Sequence, residues 1–69
     1  MLGEDDLAPA DREILELLNE GRVTAPFAAD ETGYSLQYVR DRLNRLVEHG
    51  NVKKIYEGLY EVTEDPRNS

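Results

Sequence analysis

The chain contains no cysteine, which excludes disulfides and thiolate metal sites as supports for its fold. It also lacks a long apolar run: nothing approaches the roughly 20 residues needed to cross a bilayer. Its first residues, MLGEDDLAPAD, have neither the basic start nor the apolar stretch of a secretory signal. A cytoplasmic location without membrane contact is therefore expected. With one histidine and no cysteine, the scattered carboxylates form no metal-ligand constellation. There is no Gly-rich phosphate loop, and no Ser/His/Asp set can be placed on one surface. Neither catalysis nor a cofactor is expected. Sixty-nine residues allow one domain with one small core, burying only roughly 60% of the surface that the unfolded chain exposes.

Cations are scarce as well: eight Lys and Arg stand against 15 Asp and Glu, for a net charge of −7. Taken as a total, that argues against a polyanionic partner, but the distribution argues the other way. From Leu36 to Lys54 there are five basic residues (Arg40, Arg42, Arg45, Lys53, Lys54) and two acidic ones (Asp41, Glu48), giving +3. The remainder holds three basic and thirteen acidic residues, giving −10. A positive segment inside an acidic chain is a local footprint for a polyanion. Only two of the eight cations are lysine, and acidic residues are spread along the whole chain. That composition resembles proteins adapted to molar intracellular salt, and it also fits an ordinary small acidic protein.

Residues 1–6 read as a flexible acidic tail. Leu7, Ile14, Leu15 and Leu18 then recur at helical spacing, so an amphipathic helix is expected from about Pro9 to Glu20, ended by Gly21. Val23-Thr24 is a short extended piece. Thr24 can cap a second helix of about Ala25 to Thr32, with Phe27, Ala28 and the stem of Glu31 turned inward. Gly33 breaks the chain and Ser35 caps a third helix, about residues 36–49, stopped by Gly50. A Gly-containing connection of about three residues between two short helices is the helix-turn-helix signature. On the third helix Leu36, Val39, Leu43, Leu46 and Val47 form the inner stripe. Gln37, Tyr38, Asp41, Arg45 and Glu48 lie opposite, with Arg40 and Arg42 on the flanks.

After Gly50 the pattern becomes a hairpin, Val52–Tyr56 and Leu59–Thr63, turning at Glu57-Gly58. A two-residue turn pairs Tyr56 with Leu59 and Ile55 with Tyr60. Ile55, Tyr60 and Val62 then face the helices, while Lys54, Tyr56, Leu59 and Glu61 face outward. Val52 falls on the outer face in that register, unless it precedes the regular strand or sits at a bulge. Residues 64–69 read as a second flexible tail. The order helix, short strand, helix, turn, helix, hairpin is that of an α+β winged helix-turn-helix domain spanning residues 7–63.

Three stretches, LAPADREILELL, TGYSLQYVRDRLNRLVEHGNV and YEGLYEV, carry a resemblance to small haloarchaeal winged-helix regulators related to the halophage phiH repressor. The resemblance implies a sequence-specific, double-stranded DNA-binding transcription regulator, and a repressor in particular. Its third helix would enter the major groove while the wing meets the backbone. By position, Gln37 would pair with adenine and Arg42 with guanine. Tyr38 would meet sugar or phosphate, and Ser35, besides capping the helix, would donate to a phosphate. Arg40 and Arg45 suit backbone contacts, and so does one of Lys53 and Lys54, which point to opposite strand faces. Asp41 departs from the small polar residue that the related proteins carry there. Beside phosphates it is repulsive, unless it accepts from a cytosine amine or holds an arginine such as Arg45, its i,i+4 neighbour. His49, ending the helix, reads as structural.

A homodimer on DNA is expected, because one recognition helix spans only a few base pairs. The first helix, with Leu2, Leu7 and Leu17, or the wing would have to provide its interface. The competing reading is a winged-helix adaptor between proteins, without direct DNA contact. The strongly acidic remainder and an outward apolar pair, Tyr56 and Leu59, favour that alternative.

Overall fold

Helices form where the apolar spacing places them: α1 at Pro9–Glu20, α2 at Ala25–Thr32 and α3 at Leu36–Glu48, in a computed structural model that describes residues 2–68. Each helix start has a side chain that takes up a free backbone N–H. The Asp11 carboxylate reaches back to accept from the Ala8 N–H at 2.8 Å. Thr24 Oγ1 accepts from the Phe27 N–H and Ser35 Oγ from the Tyr38 N–H, both at 3.2 Å. α3 ends in a Schellman motif: Asn51 N–H donates to Leu46 C=O at 3.0 Å and Gly50 N–H to Val47 C=O at 3.1 Å. Gly50 sits at φ 82°, a left-handed conformation that glycine adopts without a Cβ clash.

Three short strands, β1 (Val23–Thr24), β2 (Val52–Tyr56) and β3 (Leu59–Val62), make an antiparallel sheet in the order β1-β3-β2. The molecule is thus α+β, with three helices packed on one face of a three-stranded sheet. Tyr56 pairs with Leu59 as expected, but Tyr60 pairs with Lys54. The reason is a bulge between Lys54 and Tyr56, which leaves Ile55 without a cross-strand partner and shifts the register by one. Val52, now opposite Val62, turns inward and is 2% exposed. Lys54 is corrected as well, because it shares the helix-facing side of the sheet with Tyr60.

The core joins Ile14, Leu15 and Leu18 of α1 to Ala25 and Ala28 of α2 and Val39, Leu43 and Leu46 of α3, closed by Val23, Val52 and Tyr60. Phe27, expected inside, is 49% exposed, and Leu36 and Glu31 are also on the surface. α2 is so short that its small alanines, not Phe27, fit between α1 and α3.

Both expected tails are corrected. Leu2 and Leu7 are buried in the core, with a 3-10 turn at Glu4–Asp6 between them. Asn51, fully buried, holds the N-terminal segment: its Oδ1 accepts from Leu2 N–H at 2.9 Å and its Nδ2 donates to Leu2 C=O at 3.1 Å. The same Nδ2 donates to Glu64 C=O at 3.1 Å, and Asn51 C=O accepts from the N–H groups of Thr63 and Glu64. Further on, Asp65 is buried and takes the Arg67 guanidinium at 2.7 Å and Asn19 Nδ2 at 2.6 Å. Met1 and Ser69, the outer ends of those tails, lie outside the described residues. Burial of Leu2 and Leu7 also removes them as a dimer interface.

Candidate nucleic-acid interface

Of the sequence-predicted contact residues, Arg42 is the one the fold takes away. Its Nε and Nη2 donate to both oxygens of Asp11 at 2.7 and 2.6 Å, a bidentate pair joining α3 to α1. The Asp11 side chain is wholly buried, and that of Arg42 is 21% exposed. Hydrogen bonding to the carboxylate raises the guanidinium pKa above its usual value, although partial burial opposes this. A side chain so held does not reach for a base. The signal was present in the sequence: Asp11 falls on the apolar row of Leu7, Ile14 and Leu18, and an acid on an inner stripe needs a partner.

The other predicted residues are exposed. Ser35 caps α3 through its oxygen lone pair, so its O–H is still able to donate. Tyr38 packs edge-on against Tyr34, with ring centroids 5.4 Å apart, and keeps 39% of its surface. Tyr34 is fixed in turn by its O–H, which donates to Glu13 at 2.6 Å. That bond, to a nearby carboxylate, raises the tyrosine's pKa. Gln37 Nε2 donates to Asp41 Oδ1 at 3.0 Å. Asp41 therefore partners Gln37, and no ion pair with Arg45 forms.

A groove runs between α3 and the hairpin, lined by Arg40 and Asn44 on one side and Lys54, Glu57 and Tyr60 on the other. The bulge at Ile55 sets this up by turning Lys54 toward the helices. Lys53 lies on the opposite face of the sheet, beside Glu61, which is itself bonded to Arg22 at 3.0 Å. The structure thus brings Arg40 and Lys54 together and separates Lys53 from them. Asn44 was not anticipated, although its place one turn after Arg40 marks the same helix edge.

The cations divide cleanly. Arg12 is paired with Glu4, Arg22 with Glu61, Arg42 with Asp11, and Arg67 with Asp65 and Glu16. Among the described residues, Arg40, Arg45, Lys53 and Lys54 have no carboxylate within ion-pair distance, and all four lie on α3 and β2. Among the described residues no group of three or more His, Cys, Asp or Glu converges on a metal position, and no helix is long and apolar enough to cross a membrane. No protein family, characterised protein or solved structure matches the chain.

Proposed function

We propose that the chain is a winged helix-turn-helix domain that binds double-stranded DNA and regulates transcription, as a repressor that occupies its operator. α2 and α3, joined by Gly33-Tyr34-Ser35, are the helix-turn-helix; α3 is the helix offered to the major groove, and the β2–β3 hairpin is the wing. The observation that carries this reading is the sorting of the cations. In a chain of net charge −7, ion pairs hold every cation outside α3 and β2 and also Arg42 of α3, while the other four on those two elements, among the described residues, stay free to meet an anion. Phosphate is the polyanion that such a stripe fits, because each contact releases condensed counterions.

Titration of a fluorescent random-sequence duplex at several KCl concentrations tests it. Arg40, Arg45 and Lys54 acting together predict a salt slope of about −3 in log–log form. Absence of binding at the lowest salt where circular dichroism shows a folded chain overturns the reading. The adaptor would then take its place, favoured by Tyr56, which stands 77% exposed at the hairpin tip.

A further inference from the structure

Charge on the outward face of α3 is arranged in an unusual way for a surface meant for DNA. Gln37, Asp41 and Glu48 run along the middle of that face, all exposed, with Arg40 on the wing side and Arg45 one turn beyond Asp41. The cations therefore stand beside a central carboxylate. Arg45 does not neutralise Asp41, whose only side-chain partner among the described residues is the Gln37 amide at 3.0 Å. One hydrogen of Gln37 Nε2 holds that bond, and the second oxygen of Asp41, exposed on the helix, accepts from no described residue.

Such an oxygen discriminates strongly among base edges. In the major groove guanine shows two acceptors, thymine an acceptor and a methyl group, and adenine an acceptor beside its donor. Cytosine alone shows a donor, the N4 amine, and no acceptor. A carboxylate is repelled by guanine and thymine, meets the repulsive N7 beside the donor on adenine, and is satisfied without repulsion by cytosine. The guanine paired to that cytosine offers O6 and N7, the edge that arginine reads best, and Arg40 and Arg45 stand to either side of Asp41. We propose that Asp41 is a specificity-determining residue that selects a C·G pair by accepting from the cytosine N4 amine, with Gln37 oriented beside it by their mutual hydrogen bond. The inference rests on the DNA-binding reading above. It replaces Arg42, locked on Asp11, with Asp41 as the principal base reader.

Selection from a pool of synthetic duplexes with a randomised core tests this, using the full chain, Asp41→Ala and Asp41→Asn, each first shown to be folded by circular dichroism. The parent should enrich one position for cytosine. Asp41→Ala should lower that preference about tenfold. Asp41→Asn should move the same position toward adenine, because an amide presents both the acceptor and the donor that adenine's edge matches. A carboxylate that served only solubility would change affinity for all sequences alike and leave base identity untouched. A parent motif without cytosine, or one unchanged in Asp41→Asn, overturns the inference. Retention of duplexes without any motif overturns it too but leaves DNA binding standing, whereas failure to retain any duplex overturns both.

Discussion

Removing the Arg42 guanidinium should unfold this domain more readily than any other substitution on the outer surface of α3. Arg42→Ala leaves the wholly buried Asp11 carboxylate with only the Ala8 N–H as a partner. Breaking a buried ion pair from one side destabilises by roughly 3–5 kcal/mol. The lower end, about 3 kcal/mol, applies here because Arg42 keeps 21% of its side chain in water. At about 0.05–0.15 kcal/mol per residue, a chain of this length has only about 3–10 kcal/mol in total. The loss is therefore about three-tenths of the whole or more. For domains of this size each kcal/mol corresponds to about 4–8 °C in Tm, so a fall of roughly 12–24 °C is expected.

Thermal melts followed by circular dichroism measure it directly, with Arg45→Ala as the comparison, since an exposed and unpaired side chain should stay within about 0.5 kcal/mol of the parent. Asp11→Ala and the double variant complete a cycle whose coupling should be large, because the second substitution removes a charge already stranded by the first. If Arg42→Ala melts within about 2 °C of the parent, well inside the shift expected for 1 kcal/mol, the clamp is not holding α1 to α3. Arg42 would then return to the set of DNA-contacting residues.

The acid limb of stability should report Asp65. The Arg67 guanidinium lowers its pKa to about 2, so its contribution is complete above the unfolded carboxylate's value and is lost as pH falls toward 2. Asp65→Asn should flatten the parent's loss of Tm between about pH 4 and pH 2, and an unchanged slope would refute that assignment. Lys54→Ala should reduce the magnitude of the DNA salt slope by about one unit, while Lys53→Ala, on the other sheet face, should leave it alone; equal effects would contradict the bulged register. Asn51→Ala should speed amide exchange at Leu2, whose N–H loses the Asn51 Oδ1 acceptor, more than at Glu64, whose N–H keeps the backbone C=O of residue 51; unchanged exchange at Leu2 would show that the carboxamide does not hold the N-terminal segment. Molar KCl should raise the melting temperature by screening the acidic surface; a Tm that does not move would remove the adaptation-to-salt reading.

Local signals carried most of the architecture. Proline at the start of α1, hydroxyl caps at Thr24 and Ser35 and glycine after α3 marked the helix ends correctly, because each acts on backbone groups within a few residues. The misreadings are all tertiary. Phe27 is apolar but α2 leaves it no space inside. Asp11 and Arg42 lie 31 positions apart and look like ordinary surface charges until two helices bring them together. Periodicity alone could not locate the bulge, although Val52 falling on the outer face was its symptom. Asn51 follows a helix stop and reads as loop, whereas its side chain does the work of a peptide group for two distant segments. The candidate interface was legible as charge along the sequence, but which cations remain available depends on where the carboxylates fold.

Asn51 also decides how the domain would respond to being pulled. Its one carboxamide grips the backbone near both ends of the described chain, Leu2 and Glu64. A tether or fused partner attached at the two ends would load Asn51 directly through Leu2, and from the other side only after the contacts of Asp65 and Arg67 with Asn19 and Glu16 of α1 had parted. Beyond that point Asn51 would give way as a clasp does, releasing both segments at one buried side chain in the same event.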